Sequence, residues 1–141
     1  MTFPFDATDG AILEIAFAWL DLLVEERYQE AFDATWHSTE DTWTPELMRR
    51  MISNYGSLHP HWTGHVFRPS RPAEERSVRQ PSRDVTRYSS DRLLTDIVPR
   101  VVGEVWFDLP LNGEWSDLTA TFDLTEWDGG LVLALSDIRV H

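Results

Sequence analysis

Hydrophobic and polar positions alternate most regularly in the last forty residues, Val101 to Val140. From Val101 the odd positions are apolar (Val101, Val105, Phe107, Leu109, Leu111), while the even ones are mixed and include Glu104 and Asp108. Period two marks a half-buried strand, because successive side chains leave a strand on opposite faces. Asn112-Gly113 and Asp128-Gly129 interrupt the pattern. Both are dipeptides selected by two-residue hairpin turns that need positive φ. The pattern predicts a three-stranded antiparallel meander over about 101–111, 115–127 and 131–140.

Turning at Asn112-Gly113 pairs Leu111 with Glu114, Phe107 with Leu118, Val105 with Ala120 and Val101 with Leu124, so the apolar sides coincide. The second turn sets Leu133 opposite Leu124 and Leu135 opposite Phe122. Then the alternation slips: a straight strand would point Asp137 inward and Ile138 and Val140 out. One extra residue near Ser136-Asp137, a β-bulge, sets Ile138 opposite Ala120 and Val140 opposite Leu118.

Upstream the period becomes helical. The rows Ile12, Ile15, Ala16, Trp19, Leu23 and Leu13, Phe17, Leu20, Val24 predict a helix from about Gly10 to Arg27, capped by Asp9 and buried over most of its circumference. A shorter helix is expected from Tyr28 to Thr35, with Tyr28, Ala31, Phe32 and Trp36 inward. A third has Thr44 as N-cap, Pro45 in its first turn, the stripe Leu47, Met48, Met51, Ile52 and Tyr55, and Gly56 past its end. Pro60 and Gly64 restrict the next stretch to an edge strand near Trp62–Arg68. Pro69 to Ser90, rich in Pro, Ser and Arg, reads as a long mobile connection with a short strand near Val85–Tyr88. Ser90 or Asp91 caps a last short helix through Val98. Helices first and antiparallel strands after make an α+β fold, and 141 residues suit one domain.

The long apolar helix followed by one opening in "RYQEAFDATW" resembles the helical start of the nuclear-transport-factor-2-like (ketosteroid-isomerase-like) superfamily. The ending "GEWSDLTATFDLTEWDGGLVLALSDIRVH" is similar to the sheet ending of bacterial members. The resemblance implies a cone-shaped α+β fold with a helix-lined cavity. In isomerase-like members it implies a buried acid and a Tyr acting as base and oxyanion donor. It departs at the Arg-rich middle, where more regular strands are expected.

Composition narrows the functions. The net charge is −12, with every basic residue an Arg. That balance excludes sequence-independent nucleic-acid binding, which needs a basic surface to displace counterions, and argues against anionic membranes. It suits a basic protein partner, since charge complementarity directs association. It also serves plain solubility. The Arg residues concentrate in 68–92, seven against four acids. With no cysteine there are no disulfides or thiolates, and a cytoplasmic location is expected. No uncharged apolar run is long enough to span a membrane.

Candidate chemistry is sparse. On the meander face away from the helices, the register above puts Asp108 opposite Asp117, Trp106 opposite Thr119 and Glu104 opposite Thr121. Past the bulge, Arg139 falls opposite Thr119 and His141 opposite Asp117. Like charges directly across a strand pair are unfavourable, so a counter-charge is expected. Trp106, Asp108, Asp117 and Arg139 thus form a candidate partner-binding patch, Trp being frequent in binding hot spots. The plainer reading is a solvated face with scattered aromatics. Tyr28, Tyr55 and Asp137 are the candidates for a catalytic role in the cavity; the alternative is ordinary core tyrosines and a bulge acid. An acid in an apolar pocket would have a raised pKa. His59, His61 and His65 share the parity of one strand face, but no acid or Cys nearby completes a metal site. No phosphate-binding Gly loop occurs, and no cofactor is implied.

The sequence therefore points to an acidic, non-catalytic binding protein for a basic protein partner, as an immunity protein is for its toxin. By resemblance, cone-shaped folds also occur among bacterial immunity proteins. The rival is a cofactor-free isomerase- or dehydratase-type enzyme or a small-ligand carrier. Homodimerisation through the sheet face is compatible with either.

Overall fold

The computed structural model describes residues 2–55, 67–71, 82–89 and 99–140. Three helices, α1 (Asp9–Val24), α2 (Tyr28–Ala34) and α3 (Pro45–Ser53), precede four antiparallel strands, β1 (Arg83–Arg87), β2 (Arg100–Leu111), β3 (Glu114–Trp127) and β4 (Gly130–Val140). The strands are ordered β1-β2-β3-β4. This is an α+β architecture. Of the expected edge strand near Trp62–Arg68, residues 62–66 lie outside the described residues, as do the helix through Val98, Gly56 and the three clustered histidines.

Helix α1 is capped by Thr8 rather than Asp9: the Thr8 hydroxyl accepts from the Ala11 amide at 3.1 Å. Asp9 instead occupies the first turn, where its charge opposes the positive end of the helix dipole. The helix stops three residues early, at Val24, because Glu26 adopts a positive φ of 59°. The Arg27 amide then reaches Leu22 O at 2.8 Å and the Glu26 amide reaches Leu23 O at 2.9 Å, closing the orphan carbonyls. Ile12, Ala16, Trp19, Leu20 and Leu23 are buried, one face only; Leu13, Ile15 and Phe17 are half-covered. Against this face stand Val105, Phe107, Ala120, Phe122, Leu124, Leu135 and Ile138. Trp19 meets Phe122 edge-on at 5.0 Å and Phe17 meets Phe107 at 4.9 Å, the aromatic geometry that aligns positive ring edges with negative faces.

Both hairpin turns form as the dipeptides require. Asn112 and Gly113 have φ of 52° and 88°, and Asp128 and Gly129 have 50° and 78°. The bulge in β4 is also present: Thr121 pairs with Asp137, Phe122 with Leu135, and Ser136 is the extra residue. Ile138 stands opposite Ala120 and Val140 opposite Leu118, so Asp137 faces away from the helices.

The first hairpin departs from its expected register. Leu111 pairs with Glu114, but Phe107 pairs with Ala120 and Val105 with Phe122, two residues further along β3. The cause is Pro110, which has no N–H for the ladder. At this point Leu109 faces three residues, Ser116 to Leu118. Ser116 supplies what the ladder lacks: its hydroxyl donates to Leu109 O at 2.7 Å and accepts from the Leu118 amide at 3.1 Å. A second irregularity leaves Val102 unpaired between Val101 and Gly103. It turns Val101, expected inward, onto the outer face, where it is 40% exposed. Gly103 permits β1 to approach, since a Cβ there would lie 2.3 Å from Thr86 O.

The long connection contains β1, close to the predicted short strand. Before β1, Arg68–Ser70 runs along the end of β2, with the Ser70 amide on Pro110 O and the Asn112 amide on Arg68 O, both at 3.0 Å. The free edge of β4 is bridged at Phe3 and, in parallel sense, at Trp36. No helix among the described residues is long and apolar enough to cross a membrane.

Candidate functional site

The two-residue shift rearranges the outer face of the sheet. Asp108 now stands opposite Thr119, and the like-charged pair is Glu104 opposite Asp123. Asp108, expected at a partner surface, is only 3% exposed. Its carboxylate accepts from the Thr119 hydroxyl and from the Ser82 amide, both at 2.7 Å, and so pins the start of β1 to the meander. Asp117, drawn into the irregularity at Leu109, leaves the expected face pairing and accepts a hydrogen bond from the Tyr55 hydroxyl at the end of α3. Tyr55 also meets Phe67 edge-on at 4.8 Å. Of the expected patch, Trp106 lies half-buried opposite Thr121, and Arg139 is exposed opposite Thr119 and pairs with Asp137 at 3.4 Å.

The catalytic candidates are not brought together. Tyr28 lies at the start of α2, and Tyr55 is bonded to Asp117. Asp137 sits on the outer face, where its Oδ1 accepts from the Ile138 amide at 2.9 Å and closes its own bulge. Among the described residues no cluster of His, Cys, Asp and Glu is arranged to hold a metal; His59, His61 and His65 lie outside them.

A concave site arises instead where the α2–α3 loop docks on β4. The Trp36 amide donates to Leu133 O at 2.8 Å, the Trp43 indole donates to Ser136 O at 3.3 Å, and Trp36 packs on Trp127 with centroids 5.4 Å apart. Within the loop, Asp41 accepts from the Trp43 amide at 2.7 Å and binds His37 Nδ1 at 2.6 Å. His37 stacks on Phe32 with centroids 3.8 Å apart. Thr35 Oγ1 lies 2.8 Å from His37 Nε2, which gives Thr35, His37 and Asp41 the outline of a nucleophilic triad. Nε2 is also 2.7 Å from Phe32 O, and the Thr35 hydroxyl donates to the same carbonyl at 3.0 Å, so both side chains are tied to the end of α2. These three residues staple the loop.

The stapled loop and the outer sheet face enclose a cleft of about 460 Å³. Trp36, Glu40, Asp41 and Trp43 line it from the loop, and Asp123, Thr125 and Ala134 from the sheet. Among the described residues, no Arg lines it. Burial, and then the Glu104 charge, push the Asp123 carboxyl up from its ordinary value. Comparison with known protein families, with curated proteins and with solved structures found no match. The site must therefore be read from its own chemistry.

That chemistry predicts a pH signature. A carboxyl whose folded pKa is raised binds its proton more tightly when folded. Its contribution is therefore most favourable below the ordinary carboxylate pKa and is lost as pH rises through the raised value. Asp123→Asn should stabilise the fold at neutral pH, on the order of 0.5 kcal/mol for relief of a like-charged cross-strand pair. The gain should vanish in acid. Urea melts across the acid-to-neutral range check it; a gain that persists unchanged in acid would place the effect elsewhere.

Proposed function

We propose that this chain is an acidic, non-catalytic binding protein whose cleft receives an Arg or Lys side chain from a basic protein partner, in the manner of an immunity or regulatory protein. One observation carries the reading: Glu104 and Asp123 face each other across adjacent strands, and Asp123 lines a Trp-flanked cleft whose described lining residues include no Arg. A cation placed there is attracted by the carboxylates and by the faces of Trp36 and Trp43. The overall charge of −12 adds long-range attraction for the same class of partner. The arrangement of helices before an antiparallel meander supports the likeness to nuclear-transport-factor-2-like folds, which is part of the same proposal.

The test is a tryptophan-fluorescence titration with a short Arg-rich peptide, against an uncharged peptide of equal length. Saturable binding that weakens with salt, and is lost in a Glu104→Gln/Asp123→Asn double variant, is the expected result. Equal binding by the double variant and the native chain would remove the cleft from the reading.

A further inference from the structure

A second cavity, of about 170 Å³, lies between the α1–α2 link, α3 and the segment at Phe67. Among the described residues, Glu26, Tyr28, Arg49, Ser53, Phe67 and Arg68 line it, and it shares no lining residue with the cleft. Arg49 and Ser53 come from successive turns of α3 and fall on one face of it. Ser53 is 5% exposed, and its Oγ is buried with no hydrogen-bond partner. A helical Ser commonly bonds back to the carbonyl four residues earlier. Ser53 does not, and an unpaired buried hydroxyl is costly.

Among the described residues, most of the polar groups around it can donate. Burial, followed by the Glu26 charge, pushes the Tyr28 hydroxyl up to about 12 although Arg49 and Arg68 pull it down, so it keeps its proton and donates. Arg49 is braced by Glu46, and Arg68, itself largely exposed, makes only a long contact of 3.9 Å with Glu26. Among the described residues, two guanidinium groups, a phenol and a buried hydroxyl line the cavity beside one carboxylate, Glu26, while Glu46 holds Arg49 from outside the lining.

We propose that this cavity binds a small oxyanion, a carboxylate or a phosphate, with Ser53 and Tyr28 donating hydrogen bonds and Arg49 and Arg68 supplying the charge. Guanidinium groups match both anions through paired N–H donors. Arg68 exchanges its long contact with Glu26 for the ligand. The volume admits an anion of a few heavy atoms. The inference stands apart from the partner-binding reading, and neither depends on the other.

Melting temperature is measured with inorganic phosphate, with acetate, and with chloride at matched ionic strength. A saturable rise with one or both oxyanions beyond chloride is expected, because a ligand that binds only the folded state stabilises it. The two arms tell phosphate from carboxylate. Calorimetric titration of Ser53→Ala and Arg68→Gln should show affinity lower by about tenfold each. Ser53→Ala should melt no lower than the native chain, since it deletes an unpaired hydroxyl, and Arg68→Gln changes an exposed position. No rise beyond chloride with either anion, or native affinity in both variants, would overturn the proposal.

Discussion

Asp108→Arg is expected to unfold the chain or to lower its stability by about 3–5 kcal/mol, the cost of leaving a buried charge without its partner. Sequence alone places Asp108 on an exposed acidic patch, where a charge reversal would affect only binding. In the structure its carboxylate is buried and holds both the Thr119 hydroxyl and the Ser82 amide. An Arg there loses both acceptors and brings a larger cation into the space of a short acid. The loss should appear first at β1, because the Ser82 bond joins that strand to β2. Asp108→Asn separates charge from geometry: it keeps one carbonyl acceptor and should cost about 1 kcal/mol. Chemical denaturation of the two variants, with hydrogen exchange at Val85 and Thr86, checks the order of loss. An Asp108→Arg chain that melts like the native one would show this carboxylate to be dispensable.

Asp123→Arg is expected to do the reverse, abolishing partner binding while leaving the fold intact or firmer. Opposite Glu104 it replaces a like-charged cross-strand pair by an attractive one, a gain of up to about 1 kcal/mol. Its side chain extends into the cleft and occupies the place proposed for the partner's cation. Binding of the Arg-rich peptide should weaken by about thirtyfold or more, corresponding to the ~2 kcal/mol lost when one side of a desolvated charge pair is removed. Loss of binding with unchanged or raised melting temperature is the informative combination. Native affinity in a stable Asp123→Arg chain would show that the peptide binds elsewhere.

The two variants differ because of one proline. The alternation along β2 and β3 assigns side chains to faces correctly, apart from Val101 and Val102. It is blind to the shift at Pro110, because moving one strand by two residues returns every side chain to the face it left. Asp108 and Asp117 were thereby expected to repel one another across the strands, and Glu104 and Asp123 do so instead. Val101 escaped for a related reason: two adjacent valines look alike to a hydrophobic pattern, so the bulge that selects Val102 for the inner side leaves no trace in it. The β4 bulge, by contrast, was legible, since one extra residue reverses parity and would otherwise have buried Asp137.

What the chain determines locally, it determines well. The Asn-Gly and Asp-Gly turns, the Thr44 cap with Pro45 after it, the apolar face of α1 and the slip at Ser136 all depend on residues within a few positions of one another. Their physical causes are backbone dihedrals, orphan amides and side-chain parity. Tertiary structure alone decided the rest. It seated the α2–α3 loop on the edge of β4, bonded Tyr55 to Asp117 and buried Asp108. It also gathered Tyr28, Ser53 and Arg68 around one cavity. Those contacts join segments far apart in sequence, and each is selected by how whole elements pack, a choice that no local pattern of hydrophobic and polar residues encodes.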